Sequence, residues 1–170
     1  MADAKRLVDA LVRSRAGGLA TGAALGGLAL VAGLAYRAVR GEAAPAAAAA
    51  PFAEVGEDEA RLMLRAMVAA TVADGMVDAE ERRRLDAAVD GAGLDKDGRT
   101  WLDRELAEPA DIDEIADAVN DPDAAARIYA AARLAIDADT LQERQFLRML
   151  AEALDVTEEA AGRVDRELAG

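Results

Sequence analysis

The chain has 170 residues with Lys+Arg 20 against Asp+Glu 33, a net charge of −13, and neither Cys nor His. That excludes disulfides, thiolate metal sites and imidazole catalysis. With Ser14 the only serine, carboxylates are the one catalytic group left. A body this acidic repels phosphate backbones, which argues against nucleic acid as a partner and favours a cation or a basic protein.

Residues 1–15 form a basic segment in which Leu7, Val8, Leu11 and Val12 have the spacing of a short amphipathic helix. Residues 16–36 follow with 21 positions free of charge. At 1.5 Å per residue that length spans a hydrocarbon core of roughly 30 Å. Arg13 and Arg15 precede it, and Tyr36, Arg37 and Arg40 close it, as interfacial anchors would. The expectation is a transmembrane helix, with a cleaved signal peptide or a glycine-rich soluble helix as alternatives. Gly18, Gly22 and Gly26 recur every four residues, a small-residue stripe that suits homo-oligomers inside lipid. The excess of basic residues before the segment places the N-terminus in the cytoplasm and the acidic body outside. Residues 37–53, rich in Ala and bounded by Pro45 and Pro51, read as a linker.

Residues 54–170 read as helices throughout. Apolar stripes recur at Leu62, Ala66, Ala69, Ala70 and Ala73, and at Leu85, Ala88, Val89 and Ala92. Ile112, Ile115, Ala116 and Val119 mark another helix. The pattern resumes at Ile128, Ala131, Ala132 and Ala135, continues through Leu147, Leu150 and Leu154, and ends with Ala161, Val164 and Leu168. No period-two alternation is present, so no sheet is expected. Aligning residues 61–107 with 123–169 at an offset of 62 gives 12 identities in 47 positions, including Asp103–Ala107 on Asp165–Ala169. Two similar helical units are the natural reading of such a repeat.

Each unit has an acidic joint, 73–81 and 135–143. Asp78 with Glu81, and Thr140 with Glu143, fit capping boxes, in which the first side chain accepts from the N3 amide and the Glu reaches back. Capping leaves Asp74, Asp137 and Asp139 unexplained. Asp74, Gly75, Val77 and Glu81 also fit the back half of a calcium loop, but Ala70 and Val72 stand where its first ligands belong, which excludes an EF-hand. If the joints meet, Asp74, Asp78, Glu81, Asp137, Asp139 and Glu143 form an oxygen-only set for Ca²⁺, Mg²⁺ or Mn²⁺. Capping and cation binding both remain open.

The run Ala-Asp-Gly-Met-Val-Asp-Ala-Glu-Glu at 73–81, echoed at 135–143, resembles the tellurite-resistance TerB superfamily. With Asp3–Asp9, the glycine-rich stretch and Gly33–Ala38, the whole chain looks like the membrane-associated branch that includes YebE-type inner-membrane proteins. The resemblance implies an all-α bundle of about seven helices with an internal two-fold repeat, preceded by a single glycine-rich transmembrane helix. It also implies a bacterial inner membrane and a cation-binding or stress-linked role, with the six acids above where that family concentrates its own. Thr140 in place of a second Asp78 departs from a symmetric pair of sites. The resulting expectation is a membrane-anchored, non-enzymatic helical module. The alternatives are an oligomerisation or protein-interaction module without metal, and a hydrolase built on carboxylates alone.

Overall fold

A computed structural model describes residues 4–16, 27–40, 55–75, 77 and 79–169. Among them are nine helices and no strand: α1 (Ala4–Ala16), α2 (Gly27–Arg40), α3 (Glu57–Thr71), α4 (Ala79–Ala92), α5 (Lys96–Ala107), α6 (Ile112–Asp117), α7 (Pro122–Ala135), α8 (Leu141–Ala153) and α9 (Glu158–Ala169). Helices α3 to α9 are the seven of the acidic body.

The most extensive contact is between α3 and α7. Both present alanine to each other's neighbourhood. Ala60, Ala66 and Ala70 are fully buried on one, and Ala130, Ala131 and Ala132 on the other. Methyl side chains let helix axes approach toward the close end of the usual 8–10 Å range, and Met63, Leu64 and Ile128 fill what remains. The 62-residue offset carries onto helix boundaries: α4 and α8 begin at 79 and 141, α5 and α9 at 96 and 158. Leu85 and Leu147, one offset apart, are both buried.

Local chemistry fixes where these helices start. Asp95 accepts from the Gly98 amide at 2.8 Å to open α5. Asp121 accepts from Ala124 at 2.9 Å to open α7, with Pro122 in the first turn where its missing N–H costs nothing. Thr157 accepts from Ala160 at 3.2 Å to open α9. Helix α8 ends in a Schellman motif: Val156 N–H donates to Ala151 O at 2.9 Å and Asp155 N–H to Glu152 O at 3.2 Å.

The expected transmembrane helix over residues 16–36 is corrected here. No helix of the described residues is long and apolar enough to cross a membrane. α2 has 14 residues, which extend about 21 Å at 1.5 Å each, well short of a hydrocarbon core. Its apolar face finds protein instead of lipid. Val31, Leu34, Ala35 and Ala38 are buried, and α2 lies against α7, α9 and α1. Full burial of a Val or Leu side chain stabilises by about 1.5–3 kcal/mol, so Val31 and Leu34 anchor this helix to the bundle. Arg163 of α9 donates to Ala38 O at 2.6 Å, and Arg37 pairs with Glu167 at 3.2 Å, tying the polar side of α2 to α9.

Helix α1 belongs to the same core. It packs on α4, α2 and α3, burying Leu7, Val8 and Val12. The Ala4 amide donates to Glu57 Oε1 at 2.7 Å, so one carboxylate serves the positive ends of both α1 and α3. The inner-membrane, single-pass localisation rested on the spanning helix and is withdrawn with it. The Gly18/Gly22/Gly26 oligomerisation stripe lies outside the described residues.

Candidate functional site

The second joint is described in full. Thr140 and Glu143 make a complete capping box: Glu143 N–H donates to Thr140 Oγ1 at 3.1 Å, and Thr140 N–H donates to Glu143 Oε2 at 3.0 Å. Glu143 is buried, and the Thr140 hydroxyl adds a third bond to the same Oε2 at 2.9 Å. Two arginines hold the loop between α7 and α8. Arg133 donates to Ile136 O at 3.0 Å, and Arg144 donates to Ala138 O at 3.1 Å and Asp139 O at 2.7 Å. Guanidinium groups therefore already occupy the carbonyl oxygens of Ile136, at the C-terminal cap of α7, and of the loop that follows it. Asp137 and Asp139 are exposed.

At the first joint, Asp74 is exposed and Gly75 has φ +81°, the left-handed region that glycine enters at no steric cost. Asp78 and the Glu81 side chain lie outside the described residues. Among the described residues no group of three or more acids is placed to hold a metal ion. At the second joint the one buried carboxylate serves the cap, and loop carbonyls accept from arginine.

What the structure brings together lies beside the second joint. A groove of about 910 Å³ opens between α7, α8 and α9. Tyr129, Leu147, Ala151, Val156 and Ala161 supply its apolar lining, and Tyr129 is 3% exposed. The Tyr129 hydroxyl makes no hydrogen bond to any described residue. Its pKa is pushed up to about 12, chiefly because burial disfavours the phenolate, with the Asp165 carboxylate adding to the shift and Arg133 opposing it. Arg133 Nε donates to Asp165 Oδ1 at 2.6 Å across the groove. Glu152, Asp155 and Glu158 form an exposed acidic rim. On α8, Leu141 is 72% exposed and Met149 47% exposed.

A family profile described as a protein of unknown function, DUF533, matches residues 4–168. The chain belongs to this family. DUF533 is TerB-like, so the broad resemblance holds, while nothing in the match points to the YebE-type or membrane-associated branch. No curated protein and no solved structure matches the chain. The match begins at the first residue of α1 and runs almost to the end of α9. Helices α1 and α2 are thus part of the DUF533 unit, as their burial indicates.

Sequence reasoning about this DUF533 chain looked to the acidic joints and passed over the groove. A signal was available. The buried apolar stripe of α8 is Leu147, Leu150 and Ala151, and Leu141 and Met149 are apolar residues that fall off it. Tyr129 carried no such mark, because it stands on the buried face of α7 among alanines.

Proposed function

We propose that this DUF533 chain is a non-enzymatic helical module that holds a protein partner on the outer face of its second half. The observation that carries this reading is the pair Leu141 and Met149. Among the described residues the exposed large hydrophobics are Val39, Leu141 and Met149, and two of the three stand on α8. Single exposed apolar residues are ordinary; on this reading the two that stand on one helix, outside the lining of the neighbouring groove, are where the partner docks. The non-enzymatic part draws support from the buried carboxylates. Glu105 takes the Arg65 guanidinium at 2.8 Å, and Glu143 is consumed by its capping box. Both are engaged in structural bonds, where a carboxylate catalyst needs a carboxyl facing substrate.

Photo-crosslinking tests the reading. A benzophenone amino acid placed at Leu141 or Met149 in the native host is expected to yield a discrete protein adduct. The same group at Asp103, exposed on α5 in the other half, is expected to yield none. Equal adducts from all three positions, or none from Leu141 and Met149, would overturn the reading.

A further inference from the structure

The outer face of α8 is complementary to itself. We infer that the partner held there is a second copy of this chain, the two α8 helices packing antiparallel about a two-fold axis at Gln145. This rests on the reading of Leu141 and Met149 as the docking surface and adds to it the identity of what docks.

Three observations converge. The first is spacing. Leu141, Gln145, Arg148, Met149 and Glu152 are all exposed. At 3.6 residues per turn they fall within about 100° of arc, on the side of α8 away from the buried Leu147 and Leu150. Leu141 and Met149 stand four residues to either side of Gln145. Reversing the helix about Gln145 therefore brings Leu141 level with Met149 of the second copy, and Met149 level with its Leu141. Two side chains that are 72% and 47% exposed in one copy each gain an apolar counterpart, as an isologous contact requires.

The second is charge. Arg144 donates to the carbonyls of Ala138 and Asp139, and Arg148 to the Gln145 side chain, so neither meets a carboxylate among the described residues. Glu152 makes no ion pair with any described residue. Its helix neighbour Arg148 precedes it by four residues, the less favourable order for a pair within one helix. The same reversal sets Glu152 level with Ala138 of the second copy, seven residues to the other side of Gln145, where the Arg144 guanidinium is held. One Arg144–Glu152 pair then closes each end of the contact. Each joins a cation without a carboxylate to a carboxylate without a cation.

The third is the sign of the patch. Each copy carries a net charge of −13, so two copies meet most readily where acid does not face acid. The exposed charges of α8 are Arg144, Arg148 and Glu152, a mixed set with no acidic excess. An acidic partner would oppose Glu152 and a basic one the two arginines, whereas a surface of the same pattern opposes neither. The contact is one helix wide and about 20 Å long for 13 residues, which puts the dimer in the weak, concentration-dependent class. Exposed ion pairs of this kind fix register more than affinity.

Sedimentation velocity of the full chain, from about 5 to about 500 µM, is expected to show a monomer passing into a dimer. Leu141→Ser with Met149→Ser is expected to weaken association by about tenfold or more. Glu152→Arg, which sets Arg against Arg144 at both ends, is expected to weaken it by about three- to tenfold. All three positions are exposed, so the monomer keeps its fold. The chain has no Cys, so one introduced thiol reports on a single copy-to-copy distance. Gln145→Cys, on the axis, is expected to oxidise to a disulfide-linked dimer about tenfold faster than Asp103→Cys, exposed on α5. A chain that stays monomeric throughout, a dimer indifferent to these variants, or equal oxidation of the two thiols would overturn the self-pairing. Crosslinks from Leu141 and Met149 to a different protein would retire the second copy and leave the partner surface standing. No crosslinks from those positions would retire the surface and the self-pairing with it. Crosslinks between two copies, together with loss of the dimer in the variants, support both.

Discussion

The two halves of this chain share a helical register but not their partners, and the ion pairs show why. Arg65 and Arg127 are one offset apart, as are Glu105 and Glu167. In the first half Arg65 stays at home, binding Glu105 of α5 at 2.8 Å and Glu114 of α6 at 3.3 Å. In the second half Arg127 turns across the α3–α7 contact to Glu59 at 2.5 Å, and Glu167 reaches Arg37 of α2. Helix α2 packs on both α7 and α9 and carries the Arg37 that takes the Glu167 carboxylate, an ion pair with no counterpart at Glu105, which holds Arg65. Helix α1 does something different for the first half, packing on α3 and α4. A repeat in sequence fixes which helices form. The non-repeated helices that lie on them decide which bonds they make.

The largest effects test whether α2 is core in the sense that the repeat helices are. Leu85→Ala and Leu147→Ala, emptying equivalent buried sites, should each cost about 2–4 kcal/mol in urea unfolding. Leu34→Ala on α2, equally buried, should cost the same. If Leu34→Ala moved the midpoint by less than about 0.5 kcal/mol, α2 would be peripheral and its role in breaking the symmetry would fall.

The helices themselves were legible because α4 and α8, and α5 and α9, write their apolar stripes in local residues. Thr140 and Glu143 announce a capping box four residues long, and the structure contains it. The apolar stretch before the body was misread because hydropathy reports only that a segment leaves water. It does not say whether lipid or protein receives it. Val31, Leu34 and Ala38 meet α7 and α9, a long-range pairing that no local pattern encodes. The groove was illegible for the same reason. Tyr129 and Asp165 become neighbours only when α7 and α9 pack.

A second, smaller effect separates the halves by pH. One offset before Tyr129 stands Met67, also buried, so only the second half carries a buried phenol at this place. Its pKa is about 12 in the folded chain against an ordinary value of 10.0, so the folded state holds the proton more tightly than the unfolded state. Between those values the unfolded chain has lost the proton and the native chain has kept it, so stability must fall as pH rises. Below pH 10 the group contributes no pH dependence. Above it the loss approaches about 1.4 kcal/mol per unit. Tyr129→Phe should remove that alkaline loss, read as the difference between the two unfolding curves at pH 8 and pH 11.5. A Met67→Leu variant should keep the wild-type slope. Parallel pH curves for wild type and Tyr129→Phe would show that the hydroxyl titrates as in water.

The smallest effect asks whether α4 and α8 end in the same way. Gly93 has φ +62° and Asp155, one offset later, φ +54°. Each amide donates back three residues, Gly93 to Asp90 O and Asp155 to Glu152 O, both at 3.2 Å. The left-handed conformation costs a residue with a Cβ roughly 1–2 kcal/mol, least for Asp and Asn, and glycine very little. A Cβ built at Gly93 meets nothing within 4 Å, so only the backbone opposes a side chain there. Gly93→Asp should therefore destabilise by about 1 kcal/mol or less, and Asp155→Gly should stabilise by a similar or smaller amount, because the added freedom of the unfolded chain offsets part of the relief. Urea midpoints measure both, and the double mutant should lie near wild type. A Gly93→Asp penalty above about 2 kcal/mol, outside the cost of the conformation alone, would mean that the equal φ angles conceal two different helix ends. The repeat would then hold for the starts of its helices and not for their stops.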